Sequence, residues 1–293
     1  MILLLSMNPT KIDLNFADLH THTIASDGEM TAGEIIEAAG GIGLKTISIT
    51  DHDGVGAYTG KVRELKKSAN SFGVDLITGI ELDSEYNGVE VHILGYGIDI
   101  ENPRLKKHLI EVQTLRTKRI REIMNKVNLN LGKDFLTEDM IFPPGRETLM
   151  KPHIIRELLD KKKFKKYKDA SKWIDDKCKP ETTVPKFFSG VIIPIILEAG
   201  GTPVLAHPAY YMGQNGIDIE TMIAELSTFG LKGIEVYYNY HGFSPANSDM
   251  KGYPDLIFML LDISKKHDLF ATRGSDSHTM NDFMKRNPPE KIK

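Results

Sequence analysis

The chain has 293 residues and 41% hydrophobic content, enough to bury a large core as one domain or as a barrel with an insertion. Its single cysteine, Cys178, excludes an intramolecular disulfide framework. The start MILLLS is too short for a signal-peptide core and no later apolar run nears the roughly 20 residues of a membrane span, so a cytoplasmic protein with no membrane association is expected. The formal net charge of −3 hides a polarity, because residues 104–179 carry 21 Lys+Arg against 11 Asp+Glu and the remainder 16 against 29. An acidic body suits cations and a basic segment suits an anionic substrate.

In chain order, apolar or β-branched runs predict seven strands: LNFADL, KTISIT, VDLITGI, VEVHILGYGI, TPVLA, LKGIEVYY and HDLFATRG. Helical patterns alternate with them. TAGEIIEAAGGIG has Thr31 placed to cap its first turn with Glu34 three residues on, and AYTGKVRELKKSANSFG is closed by Gly73. Such alternation implies parallel strands with right-handed crossovers, closing into a barrel rather than an open sheet. Between Gly97 and about Ile192 the rhythm gives way to helices at residues 102–132, 151–164 and 169–178, with VIIPIILEAGG reading as the helix before the next strand. The expected organisation is a barrel of residues 14–100 and 190–285 interrupted by a helical insertion, 101–189, that covers the site. The run KKKFKKYK within it reads as a solvated helix face.

Potential metal ligands fall at the strand ends. They are His20 and His22 in DLHTHT, Asp27 in SDG, His52 in TDHD, Glu81 in GIE, His207 in AHP, and Asp276 with His278 in GSDSH, while His92 sits within the fourth strand. In a parallel barrel the carboxyl ends of strands converge on one face, so these residues meet in one pocket. In His-Thr-His and Asp-Ser-His the paired ligands are two apart, hence on one side of an extended segment. A single His-x-His is weak evidence, but several such clusters all at strand ends are not a chance pattern. Imidazole with carboxylate and no cysteine suits zinc, manganese or iron and argues against a closed structural zinc site. His108 and His267, in polar helical contexts, read as surface residues, and Asp51 and Asp53 as groups that orient His52 or cap the chain.

These motifs, in this order and over nearly the whole chain, resemble those of the polymerase and histidinol phosphatase (PHP) superfamily. The helical insertion after VHILGYGI, followed by PVLAHP and IEVY, is most similar to the bacterial subgroup acting on nucleoside 3',5'-bisphosphates and on the 5' ends of short oligoribonucleotides. The resemblance implies an α/β fold, a distorted (β/α)7 barrel, with two to three divalent ions (Mn, Zn or Fe). His20, His22, Glu81 and Asp276 would hold the first, Glu81, His92 and His207 the second, and Asp27, His52 and His278 the third. Lys151-Pro152-His153 stands where relatives commonly carry Arg-Pro-His, replacing a bidentate fork with a point charge.

The implied chemistry is hydrolysis of phosphomonoesters by metal-activated hydroxide. Arg116, Arg119, Lys151 and Arg273 are candidates for the substrate's phosphate, and His153 and His241 for proton transfer. Tyr237, Tyr238 and Tyr240 are expected to wall the pocket, one of them stacking on a base at most, with no long nucleic-acid track. The expected substrate is small and phosphorylated, a nucleotide or short RNA. The alternatives are a histidinol-phosphatase-like enzyme and a noncatalytic accessory module.

Overall fold

The computed structural model describes residues 12–240 and 253–288. The barrel strands are β1 (Ala17–Asp18), β2 (Thr46–Ile49), β3 (Asp75–Tyr86), β4 (Val89–Tyr96), β6 (Thr202–Leu205), β7 (Gly233–Tyr237) and β8 (Phe270–Arg273), hydrogen-bonded in that order, while the short β5 (Phe187–Phe188) pairs with β3. Beyond the regular strands, Leu19 N–H donates to Arg273 O at 3.0 Å, Asp276 N–H to His20 O at 2.7 Å and His22 N–H to Ser277 O at 3.0 Å. The sheet therefore curls until its first and last strands meet, as an α/β barrel.

Two strand expectations need correcting. Leu14–Phe16 forms a 3-10 turn instead of extending the first strand, because the Asp13 side chain accepts the Asn15 N–H and curls the chain there. More consequential is β4, which is antiparallel to both β3 and β6, whereas the other barrel pairs are parallel. The reversal comes from Asn87-Gly88, whose φ values of 50° and 76° suit the left-handed pair of a type I′ hairpin turn. Because β4 runs backwards, its first half lies at the end of the barrel where the parallel strands finish. His92 consequently pairs in register with Asp83.

The helices around the barrel are α1 (Ala32–Ile42), α2 (Val62–Ser71), α7 (Ser189–Glu198), α8 (Ile219–Thr228), α9 (Tyr253–Lys266) and α10 (Met280–Arg286). Helix α1 starts at a capping box, Thr31 Oγ1 accepting Glu34 N–H at 3.2 Å while the Glu34 carboxylate accepts Thr31 N–H at 2.7 Å. Inside the barrel Leu19, Leu94, Tyr96, Val204 and Ala206 form a small separate core.

The helical segment contains α3 (Pro103–Leu131), α4 (Glu138–Ile141), α5 (Lys151–Asp160) and α6 (Tyr167–Lys177). At 29 residues, α3 is about 44 Å long and serves two cores. Its early residues Leu105 and Leu109 pack into the barrel core, and Ile120, Ile123, Met124 and Val127 into a second one with Ile154, Leu158 and Ile174. His108 is buried, its ring edge-on to Phe187 at 5.1 Å, and His267 is half-buried 3.5 Å from Glu220, so neither is the solvated residue its context suggests. Helical periodicity alone could not show that the face of α3 carrying His108 lies against β5. Among the described residues no helix is long and apolar enough to cross a membrane.

Candidate metal centre

All nine candidate ligands converge on the mouth of the barrel. Glu81 is at the centre, buried midway along β3. Its Oε2 lies 3.2 Å from His20 Nε2, 3.3 Å from His22 Nε2 and 3.3 Å from His52 Nε2, and its Oε1 lies 2.9 Å from His92 Nδ1 and 3.4 Å from His207 Nε2. Asp276 Oδ1 is 3.0 Å from His22 Nε2 and 3.5 Å from His20 Nε2. Asp27 Oδ1 is 3.2 Å from His278 Nε2 and 3.8 Å from His22 Nδ1.

Three overlapping donor groups result, with ligand atoms in each within 4.8 Å of one another: His20, His22, Glu81 and Asp276; Glu81, His92 and His207; and His22, Asp27, His52 and His278. A fourth group, His52, Asp83 and His92, includes a carboxylate not singled out from the sequence.

The donor atoms themselves test whether metal ions fit. His20 Nε2, both ring nitrogens of His22, Asp27 Oδ1 and Glu81 Oε2 are buried without a hydrogen-bond partner, a costly arrangement for polar atoms. They lie within ion-pair distance of one another but not in hydrogen-bond geometry. Two ligands bound 2.0–2.2 Å from one tetrahedral ion are separated by about 3.4 Å, close to the spacings around Glu81. The residues fit divalent ions.

Electrostatics agree. Burial opposes ionisation of Glu81 and Asp276, yet the surrounding imidazoles, His52 and His20 foremost for Glu81 and His20 for Asp276, hold both carboxyls well below their ordinary range. Burial likewise opposes a charged His22, but the Asp276 and Glu81 carboxylates beside it push it up to about 10. Such a cage favours positive charge, which imidazolium or metal ions can supply.

Neighbouring groups aim these ligands. The Glu235 carboxylate accepts from His20 Nδ1 at 3.0 Å through Oε1 and from the His207 N–H at 2.9 Å through Oε2, turning His20 Nε2 inward. Asp83 Oδ1 is 2.9 Å from His52 Nδ1. Tyr211 Oη accepts the His92 N–H at 3.0 Å and lies 3.1 Å from His207 Nδ1, and Tyr238 Oη donates to Asp276 Oδ2 at 2.8 Å. Asp51 is an orienter of the first loop, accepting from Thr23 N–H, Thr23 Oγ1 and Ser26 Oγ at 2.6–2.7 Å. The backbone is strained here too: His207, Asp276 and Asp53 have φ of 29°, 52° and 43°, in the left-handed region that costs non-glycine residues about 1–2 kcal/mol each.

Gly274 answers a different need. A Cβ there would lie 2.2 Å from Glu235 Oε1 and 2.3 Å from His20 Cβ, so only glycine lets Glu235 reach His20.

Glu235 and Asp83 were legible in outline. Glu235 is a carboxylate inside the apolar strand segment GIEVY, and Asp83 lies two residues beyond Glu81, hence on the same strand face.

The four cationic candidates divide. Arg116 is buried against Asp53 and Asp83, Arg119 donates to Thr182 O at 3.0 Å, and Lys151 pairs with Asp175 at 2.9 Å. The Arg273 guanidinium, a candidate for the substrate's phosphate, bonds the Leu14, Asn15 and Ala17 carbonyls, Arg286 O and Asn287, so that its side chain staples the barrel seam. His153 accepts Met150 N–H at Nδ1 and donates to Ser26 O from Nε2, so neither nitrogen is available to a substrate. Burial and then Arg146 depress its pKa to about 4. His241 lies outside the described residues.

Nearer the Asp27 group are two arginines not singled out from sequence. Glu147 and Thr148 N–H groups bond Ala25 O, which seats Arg146 beside that loop, and Arg156 lies 3.5 Å from Glu29. Arg146 Nε is buried without an acceptor, and its pKa is lowered by burial and by Arg156 against the pull of Glu157 and Asp27.

A barrel whose mouth gathers six imidazoles and three carboxylates, several of their inward atoms unpaired, is that of a metal-dependent hydrolase. The PHP domain model matches residues 18–175, more than half of the chain. This chain belongs to the PHP family of metal-dependent phosphoesterases. It is 28% identical over 274 residues to the 5'-3' exoribonuclease Rnm of Salmonella typhimurium, covering 91% of this chain and 87% of that protein. It is 28% identical over 263 residues to the 3',5'-nucleoside bisphosphate phosphatase of Chromobacterium violaceum, covering 89% and 86%. Among solved structures, it is similar to an amidohydrolase from Chromobacterium violaceum with bound sulfate, at a TM-score of 0.73, 26% identity, and 90% and 88% coverage.

Proposed function

We propose that this chain hydrolyses phosphate monoesters on nucleotides, either nucleoside 3',5'-bisphosphates or the 5' ends of short oligoribonucleotides. The observation that carries the reading is the set of buried, unpaired ligand atoms around Glu81, because a cage of that kind has no use in a purely structural protein. Two relatives named for these substrates, each aligned over about nine-tenths of the chain, support the nucleotide assignment.

His20, His22, Glu81 and Asp276 would hold one ion, Glu81, His92 and His207 a second, and Asp27, His52 and His278 a third, with manganese, zinc and iron all suited to the donors. Bound there, such ions supply a water of lowered pKa and neutralise phosphoryl charge. The chain's own residues do the rest. Glu235 and Asp83 fix the tautomers of His20 and His52, so that each presents Nε2 to the cage. Arg146 and Arg156, beside the Asp27 group, are placed to take a substrate phosphate not being cleaved. Tyr238 and Tyr240 pack with Tyr210 as a wall next to His207 rather than as an open stacking platform. The helical segment of residues 101–189 covers this site, joined to its rim through Ala25, Ser26 and Asp83. No extended nucleic-acid track is part of the proposal, and a cytoplasmic setting is supported by the lone buried thiol, Cys178.

Release of inorganic phosphate from adenosine 3',5'-bisphosphate and from histidinol phosphate, and of nucleoside monophosphate from a 5'-phosphorylated RNA trimer, each with added manganese, tests the reading. A preference for the bisphosphate or the RNA trimer is expected, and a preference for histidinol phosphate overturns it.

A further inference from the structure

Asp83 could serve the cage in two ways that exclude each other. It belongs to a potential donor group with His52 and His92. A metal held by Asp83 and His52 Nδ1 would require a lone pair on that nitrogen. Yet His52 Nε2 is already aimed at Glu81 Oε2, 3.3 Å away, and its Nδ1 lies 2.9 Å from Asp83 Oδ1. An imidazole that ligates through Nε2 carries its proton on Nδ1, where Asp83 receives it.

What selects between these roles comes from α3. Arg116 Nη2 contacts Asp83 Oδ2 at 2.5 Å, and Arg116 Nε lies 3.0 Å from Asp53 Oδ2. Asp53 Oδ1 in turn accepts the Asp83 N–H at 3.1 Å, and the Asp53 carbonyl accepts from Gln113 Nε2 at 2.8 Å and Thr148 Oγ1 at 3.2 Å. Both Asp83 oxygens are thus engaged, unlike Asp27 Oδ1 and Glu81 Oε2, which are unpaired. A guanidinium on Asp83 also repels a cation that would bind there. Arg116 sits where α3 passes from the barrel core to the second core, so it can bridge only when the helical segment is docked.

We propose that Arg116 is a positioning residue: by holding Asp83 as the acceptor for His52 Nδ1–H, it keeps Asp83 from becoming a metal ligand and makes the His52 metal position depend on docking of the helical segment. This rests on the cage being a metal site.

Wild type, Arg116→Met, Arg116→Lys and Asp83→Asn are compared by equilibrium dialysis with manganese and elemental analysis, by the visible spectrum of the cobalt-loaded protein, and by amide exchange in residues 113–120. Arg116→Met and Asp83→Asn are both expected to weaken one class of ion by about 10–100-fold while leaving the others, and to shift the cobalt spectrum. Arg116→Lys recovers part of the loss, since one ammonium can hold Asp83. Manganese should slow exchange in 113–120 of wild type but not of Asp83→Asn. Should Arg116→Met fail to fold, Asp83→Asn and Arg116→Lys decide the question. Unchanged ion affinity in all variants overturns the proposal, as does loss of a whole ion in Asp83→Asn with none weakened in the Arg116 variants. Wild type that binds no manganese instead sinks the metal reading itself, which separates the two failures.

Discussion

Buried histidines at the barrel mouth and in the helical segment stand in opposite conditions. His20 and His22 face Glu81 and Asp276 with unpaired nitrogens, and their charged forms are favoured. His153 has both nitrogens bonded to the main chain and Arg146 for a neighbour, and its charged form is disfavoured. His108 adds a third condition, a buried Nε2 without a partner but no cluster of carboxylates, and burial lowers its pKa. Residue type and burial are shared by all four. What separates a candidate ligand from a packing group is an unpaired nitrogen together with several carboxylates.

The largest effect should come from the shared carboxylate. Glu81→Gln removes the group that touches five imidazoles, and it is expected to reduce metal content and turnover by more than the 10–100-fold typical of outer hydrogen-bond partners. Elemental analysis alongside phosphate release checks both. A variant with full metal content would erase the contrast between the two regions.

Gly274→Ala comes next. The added methyl must displace Glu235 or His20, costing about 1–3 kcal/mol in thermal or denaturant unfolding and weakening metal uptake. If stability falls but metal affinity does not, Glu235 is not what aims His20.

His153 sharpens the comparison through pH. Its folded pKa of about 4 lies below the unfolded value near 6.5, so protonation favours the unfolded chain. The stability it contributes is fully present above pH 6.5 and is lost as pH falls toward 4, by up to about 3 kcal/mol. His153→Gln should be less stable than wild type at pH 7, with the gap closing across that window in urea titrations. A gap that stays constant would mean His153 is not held neutral.

The smallest effect is expected at Lys151. Its partly exposed pair with Asp175 is worth under about 1 kcal/mol, and Lys151→Met should leave metal content unchanged. A rise in KM for a bisphosphate in that variant would return Lys151 to the substrate's surroundings.

Much of this was legible before any coordinates. The convergence of the candidate ligands follows from short motifs at strand ends, because a barrel's topology brings strand ends together whatever the details of packing. Within β4 the alternation was readable but its direction was not, until the Asn87-Gly88 pair is recognised as a hairpin turn. Arg116 and Arg273 show where sequence runs out. Both are basic residues close to ligand-bearing segments, yet one bridges two carboxylates and the other caps main-chain carbonyls. Those roles depend on contacts from 13 to 259 residues away, which local pattern does not encode.

The most direct test is metal stoichiometry. Protein stripped with a chelator and reloaded by dialysis against manganese should take up two to three ions per chain and regain phosphatase activity in proportion, while Glu81→Gln does neither. Full activity in the stripped protein, or uptake of less than one ion per chain, would contradict a polynuclear centre at the barrel mouth.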